Sequence, residues 1–259
     1  MIDLNNLPVF DCHLHIIERG YPLFENNGYI PDEYTVVNYL SRVSDYNIQG
    51  GVVVSGSFQG FDQTYLVNAL EKLGSRFVGV TQLPVTSTDD EILKLSEIGV
   101  RAVRFNLNRG GSADVNDLIT MATRIYDLAG WHVELYLGPK SLNELKEQIP
   151  LLPKVCIDHL AISDSNLEIL LPLIREGLAI KATGFGRLDM DIPETLKRIH
   201  EISPHTLMFG TDLPSTRAPR IYSDQDLLTI VEALGERESK KVMSQNALKF
   251  YDMTSHSLA

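Results

Sequence analysis

A single (β/α)8 barrel is the fold class this sequence predicts, and three observations predict it. Eight short runs rich in β-branched residues recur along the chain, an amphipathic segment follows each, and polar residues gather at the C-terminal ends of the runs. The runs fall at 9–13, 51–55, 77–81, 100–105, 132–137, 155–159, 178–181 and 207–211. Apolar spacing of three and four residues predicts helices near 33–46, 61–73, 89–97, 114–129, 141–148, 164–176, 193–202 and 224–234, with a last helix over 236–251. Strict alternation makes the strands parallel, and eight parallel strands close into a barrel of about 250 residues. The 259 residues therefore read as one domain, 1–259. A doubly wound open sheet is the alternative, but no Gly-x-Gly-x-x-Gly turn follows the first run and there is no phosphate-binding loop.

Composition narrows the partners. Hydrophobic residues make up 44% of the chain and charged residues 22%, the balance of a folded domain with a sizeable interior. With 23 basic and 34 acidic residues the net charge is -11, which disfavours nucleic acid and anionic membrane as partners. The same balance repels an anionic substrate at long range, so such a ligand requires a local cluster of arginine or lysine. No basic, apolar leader opens the chain and no apolar run reaches the length of a membrane span, so a cytoplasmic location is expected. Cys12 and Cys156 have neither zinc-ribbon spacing nor disulfide density and read as free buried thiols.

Side chains alternate along a strand, so parity predicts which polar groups share a face. In the first run Val9, Asp11, His13 and His15 fall on one face, while Phe10, Cys12 and Leu14 form an apolar face expected to pack against helices. In the fifth, His132, Glu134 and Tyr136 oppose Val133, Leu135 and Leu137. Arg104 and Asn106 share a face of the fourth, the sixth ends at His159, the seventh carries Lys181 and Thr183, and the eighth ends at Asp212. The C-terminal rim of a (β/α)8 barrel brings such strand ends together. His13 and His15 suit a divalent metal, or act as hydrogen-bond donors to a carbonyl without one.

Each residue also has a plainer reading. Asp212, before Leu213-Pro214, could cap a turn, and His159 could be a satisfied buried histidine. Asp158, of opposite parity to His159, is expected to anchor backbone. Arg104, Arg109 and Arg187 could each form a structural ion pair, although a guanidinium as near a strand end as Arg104 needs an anionic partner or ligand. Ser55 and Ser57 could be turn residues and Tyr136 barrel filling. His132 lies too deep for the rim, and His200, His205 and His256 receive no role.

At Phe10-Asp11-Cys12-His13-Leu14-His15, Gly56-Ser57-Phe58-Gln59-Gly60-Phe61-Asp62 and Val103-Arg104-Phe105-Asn106-Leu107-Asn108-Arg109-Gly110-Gly111 the chain resembles the amidohydrolase-related lactonases, most closely the metal-independent 2-pyrone-4,6-dicarboxylate lactonases. Further similarity runs through Gly130–Leu137, Ile157-Asp158-His159, Lys181–Arg187 and Phe209-Gly210-Thr211-Asp212. The resemblance implies that Asp212 activates a water while His13, His15 and His159 polarise the lactone carbonyl. It implies further that Ser57, Arg104, Arg109, Tyr136 and Arg187 bind the carboxylates of a small carboxylated lactone. The chain departs from the family's pattern at Leu213-Pro214-Ser215, where tryptophan, proline and histidine are common, at Leu160-Ala161-Ile162, where glycine and a basic residue are common, and at Phe61, where threonine is.

Two other readings compete. One is a zinc-dependent lactonase of sugar lactones or muconolactones, or a decarboxylase, with one zinc ion on His13, His15, His159 and Asp212; no metal, or one divalent metal, is the expectation. The other is a non-catalytic barrel that binds a carboxylated metabolite, for which a water-activating Asp212 would be superfluous.

Overall fold

The computed structural model describes residues 6–138 and 140–253; the first five residues and His256 lie outside them. Eight parallel strands stand in sequence order: β1 Pro8–Leu14, β2 Asn47–Val54, β3 Phe77–Thr81, β4 Val100–Asn106, β5 His132–Tyr136, β6 Val155–Ile157, β7 Ala179–Ala182 and β8 Leu207–Phe209. The helices are α1 Val36–Arg42, α2 Thr64–Leu73, α3 Asp89–Ile98, α4 Leu118–Ala129, α5 Ser141–Leu145, α6 Leu167–Arg175, α7 Ile192–Ile202, α8 Asp224–Lys240 and α9 Asn246–Phe250. Local sequence explains several ends. Thr35 and Thr88 cap α1 and α3 in reciprocal capping boxes with Asn38 and Glu91, and Gly99 and Gly130 end α3 and α4 in the left-handed conformation. The expected break between 224–234 and 236–251 falls at Gly235, which kinks α8, and beyond it the last helix continues through the end of α8, a π-helical turn over Lys241–Gln245 and α9.

The sheet curls so that β8 meets β1. Asp212 N–H donates to the His13 carbonyl (2.7 Å), His15 N–H to the Leu213 carbonyl (2.8 Å), and the Cys12 thiol reaches the Met208 carbonyl (3.5 Å). Outside this seam Asp11 accepts from Thr211 N–H (2.8 Å), Thr211 hydroxyl (2.7 Å), His13 N–H (3.2 Å) and Tyr39 hydroxyl (3.1 Å). Burial pushes the Asp11 carboxyl up to about 6, while its four donors favour the charged form.

The apolar interior has two parts. Val9, Leu14, Val53, Val103, Phe105, Val133 and Leu135 pack outward against the helices, whereas Phe10, Cys12, Val52, Val54, Val78, Val80, Ala102, Cys156, Ala179 and Met208 fill the barrel. Tyr251 closes the bottom. Its ring stacks on Phe10 at 6.1 Å, and its hydroxyl donates to Glu134 at 2.5 Å. The expected parity of β1 is thereby corrected, because Phe10 and Cys12 face the lumen and Asp11 faces outward. The reason is a bulge: Asp11 pairs with Gly51 and Leu14 with Val53, three steps on β1 against two on β2. The extra residue brings both Cys12 and His13 inward and restores His15 to the lumen side.

Candidate active site

Below the rim, in the middle of the barrel, lies a layer of buried charge. Lys181 Nζ donates to Glu134 at 2.5 Å and stands 3.5 Å from Asp158 and 3.3 Å from His13 Nδ1. Arg104 gives Nε (3.0 Å) and Nη2 (2.8 Å) to Asp158 and Nη1 to the Ser55 carbonyl (2.9 Å). Burial alone would discharge these groups, yet Arg104, His13 and Lys181 hold the Asp158 carboxyl well below its ordinary range, and Glu134 and Asp158 keep Lys181 protonated. Asp158 is therefore no backbone anchor. Its side chain joins Arg104, Lys181 and His13, because β6 carries Cys156 and Asp158 inward with the ordinary alternation.

The histidine that follows escapes that alternation through its backbone. His159, Leu160, Ala161 and Ile162 all have positive φ, and the left-handed turn swings the imidazole inward as well. Its Nδ1 meets Thr183 Oγ1 at 2.6 Å. His15 Nδ1 lies 2.7 Å from the Val54 carbonyl, and His13 Nδ1 lies 3.3 Å from Asp158 Oδ1. The three Nε2 atoms converge on one carboxylate oxygen: Asp212 Oδ1 is 3.6 Å from His15, 3.7 Å from His13 and 4.0 Å from His159. The other oxygen, Oδ2, accepts from both Nε (3.1 Å) and Nη2 of Arg187. His13 Nε2 and Asp212 Oδ1 are buried without a hydrogen-bond partner.

Protonation follows from these contacts. A carbonyl oxygen only accepts, so His15 carries its proton on Nδ1 and presents a bare Nε2 to the centre when neutral. Burial lowers His13 to about 4 and His159 well below the ordinary 6.5, so both are neutral near neutrality. Burial opposes ionisation of Asp212, but Arg187 and the histidines hold its carboxyl well below the carboxylate range. The centre is thus a carboxylate oxygen ringed by imidazole nitrogens at 3.6–4.0 Å, separations that one small group with protons or positive charge to share would fill. His13, His159 and Asp212 offer ligand atoms within 4.8 Å of one another, so the donor set fits one divalent cation of the zinc type, with His15 as a further nitrogen.

Gly184, between β7 and Arg187, is fixed by this crowding. Its φ is +62°, and a Cβ there would stand 2.7 Å from His159 Nδ1 and 2.8 Å from Arg187 Nε.

Above the centre opens a pocket lined by His15, Ser57, Arg104, Asn106, Arg109, Tyr136, His159, Arg187 and Asp212, together with Gly56, Phe58, Thr216 and Arg217. All the residues expected to bind substrate, Ser57, Arg104, Arg109, Tyr136 and Arg187, meet on this wall; His13 lies just beneath. Arg104 and Arg187 arrive already paired with Asp158 and Asp212, and Arg104 also lies over the Tyr136 ring at 5.1 Å. His132 sits at the barrel bottom against Phe250 and Tyr251, and His200 pairs with Glu238 on the helical layer. Arg217 and Thr216, in the loop after Asp212, were not expected from the sequence; their place after a strand end was the available signal.

The chain matches the Amidohydrolase family model over residues 10–253. It belongs to the amidohydrolase family. Among curated relatives it is 26% identical over 244 residues to 4-sulfomuconolactone hydrolase of Rhizobium radiobacter, spanning 86% of this chain and 82% of that protein. It is also 26% identical over 246 residues to 2-pyrone-4,6-dicarboxylate hydrolase of Comamonas testosteroni, spanning 84% and 80% of the two chains. A solved structure of a probable 2-pyrone-4,6-dicarboxylic acid hydrolase from Acinetobacter baumannii, with citric acid bound, superposes with a TM-score of 0.81 at 25% identity, covering 94% of this chain and 99% of that one. Among the described residues no helix is long and apolar enough to cross a membrane.

The titration of the centre gives a pH prediction. With Asp212 charged and His13 and His159 neutral at pH 7, the contribution of His13 to kcat/KM holds as the solution is acidified and is lost as His13 takes up a proton near 4. Stability has the matching sign. An unfolded chain protonates its histidines near 6.5 while the folded one excludes the proton from His13 until about 4, so this contribution is lost as pH falls through that window. The depressed Asp212 contributes stability present above about 3.9, lost only as pH falls through its lower folded value. Direct titration of the imidazole resonances checks this, and protonation of His13 near 6.5 would contradict the assignment of a neutral, buried imidazole.

Proposed function

We propose that this amidohydrolase opens the ring of a carboxylated lactone, a cyclic ester of the 2-pyrone-4,6-dicarboxylate type, with a water oriented by Asp212. The observation that supports it most is the unpartnered Asp212 Oδ1, facing three imidazole nitrogens at the floor of a pocket walled by four arginines. The names of the relatives point the same way: two are hydrolases of 4-sulfomuconolactone and of 2-pyrone-4,6-dicarboxylate, and the Acinetobacter structure holds citric acid.

Ester hydrolysis needs a base at the attacking water and donors at the oxygen that becomes negative. Asp212 Oδ1 and the bare Nε2 of His15 are both acceptors, so together they receive the two protons of a water and leave its lone pair for the carbonyl carbon. Asp212 takes the proton as the bond forms. When Lys181 donates to His13 Nδ1, in place of Asp158 Oδ1 accepting from it at the same 3.3 Å, the His13 proton stands on Nε2 and donates to the developing oxyanion; the Thr183 hydroxyl can set His159 in the same way. All three histidines were expected to polarise the carbonyl; the Val54 contact favours a place for His15 at the water in this reading. Breaking the acyl–oxygen bond of a pyrone releases an enolate that relaxes to a ketone, so the leaving oxygen requires little acid assistance. If a divalent metal is bound, His13, His15, His159 and Asp212 would hold it, and it would acidify water and polarise the ester carbonyl.

The protein should consume 2-pyrone-4,6-dicarboxylate with loss of pyrone absorbance, both before and after treatment with chelator, metal content being measured alongside. Failure to open this lactone, other pyrone carboxylates and muconolactones in any metal state would overturn the reading.

A further inference from the structure

The arginines of the pocket are unequally committed. Arg104 and Arg187 are each neutralised by a carboxylate, whereas Arg109 and Arg217 form no ion pair among the described residues. Four guanidiniums against Asp158 and Asp212 leave two positive charges facing the cavity.

Arg217 is held by neutral groups. It stands in the loop after Asp212 with a left-handed φ of 59°. One Nη donates to Asn26 Oδ1 (3.0 Å) and the other to the Asn26 carbonyl, and its guanidinium carbon lies 4.4 Å from the centre of the Tyr29 ring. Asn26 also accepts from the Ser57 hydroxyl (3.2 Å) and donates to the Arg109 carbonyl (3.1 Å), so one side chain ties together the loops after β1, β2, β4 and β8. A guanidinium has five N–H donors, and three remain on Arg217, including an Nε–H that is buried without a partner. Arg109 and Arg217 repel each other across the same pocket, and a bound anion removes that repulsion.

We propose that Arg217 joins Arg109, already expected to bind a carboxylate, at the second acid group of the substrate, and that Arg217 makes the enzyme prefer a diacid lactone to its monoacid analogue. This rests on the lactonase reading for its catalytic arm. One acid group would sit near the paired Arg104, Arg187 and Tyr136, where it orients the ester over Asp212. The other, carboxylate or sulfonate, takes the planar fork of Arg217 and the free charge of Arg109. Arg217 follows Leu213-Pro214-Ser215, the run where the sequence leaves the tryptophan-proline-histidine pattern.

The test measures kcat and KM of wild type, Arg217→Gln and Arg217→Lys with 2-pyrone-4,6-dicarboxylate and with 2-pyrone-6-carboxylate. Arg217→Gln should raise KM for the diacid about 10- to 100-fold more than KM for the monoacid, the loss of one charge-assisted contact. Arg217→Lys should recover part of the loss. An equal fall for both substrates would assign Arg217 a merely structural hold on Asn26, and no change in either would remove it from the site; both overturn the proposal. Calorimetric binding of isophthalate and benzoate supplies an arm that needs no turnover. If wild type opens no lactone, isophthalate binding that Arg217→Gln weakens selectively keeps the subsite and removes the lactonase reading. Isophthalate bound no more tightly than benzoate, and equally by both proteins, overturns the subsite itself.

Discussion

Replacing Asp212 by asparagine should lower kcat about 10³-fold while leaving the fold and the binding of carboxylates in place. The size follows from its position. Oδ1 is the one charged acceptor facing the three Nε2 atoms, so its loss removes both the base and the group that aligns the water. An asparagine oxygen can still accept from Arg187, which limits structural damage on the Oδ2 side. The defect should therefore appear in kcat with KM nearly constant, the pattern of an interaction made in the transition state. Activity of Asp212→Asn within about threefold of wild type would remove Asp212 as the base, since positioned acid–base groups contribute at least about 10²-fold.

The second large effect is on stability. Lys181→Met should destabilise the protein by about 3–5 kcal/mol, because it leaves Glu134 and Asp158 as buried carboxylates without their common cation. For a domain of this size that lowers Tm by on the order of 10 °C. The damage belongs to the unpaired charge rather than to the lost bond. Pairing the change with Glu134→Gln, which keeps an acceptor for the Tyr251 hydroxyl, should recover a substantial part of the loss. Thermal unfolding of the two single variants and the double variant checks this, and strict additivity would show that the charges are not coupled. The same layer supports the chemistry: Lys181 and Asp158 both bear on His13 Nδ1, so Lys181→Met should also reduce kcat in the fraction that remains folded.

Much of this was legible in the chain because the barrel repeats a simple rule. Each strand lies where β-branched runs fall, and the rim collected His15, Arg104, Tyr136, His159 and Asp212 as strand-end polarity implied, and Ser57, Arg109 and Arg187 as the family resemblance implied. Alternation failed where the backbone departs from a regular strand. The bulge in β1 exchanges the roles of Asp11 and Cys12, and no residue in Asp11-Cys12-His13 announces an extra step against Gly51 and Val53. The left-handed run from His159 to Ile162 lets two consecutive residues face inward, so a parity argument had to misplace either Asp158 or His159. Pairing was also hidden. Arg104 and Arg187 were visible as arginines, but their carboxylate partners are Asp158 and Asp212, 54 and 25 residues away, and only the folded barrel shows which cations remain available for a ligand.

The central claim, hydrolysis of a ring ester by an Asp212-oriented water, is tested most directly by single turnover of 2-pyrone-4,6-dicarboxylate in heavy-oxygen water with mass analysis of the product. The account predicts one heavy oxygen in the newly formed carboxylate and full retention of carbon. A product that has lost carbon dioxide, or an opened product without the label, would contradict it.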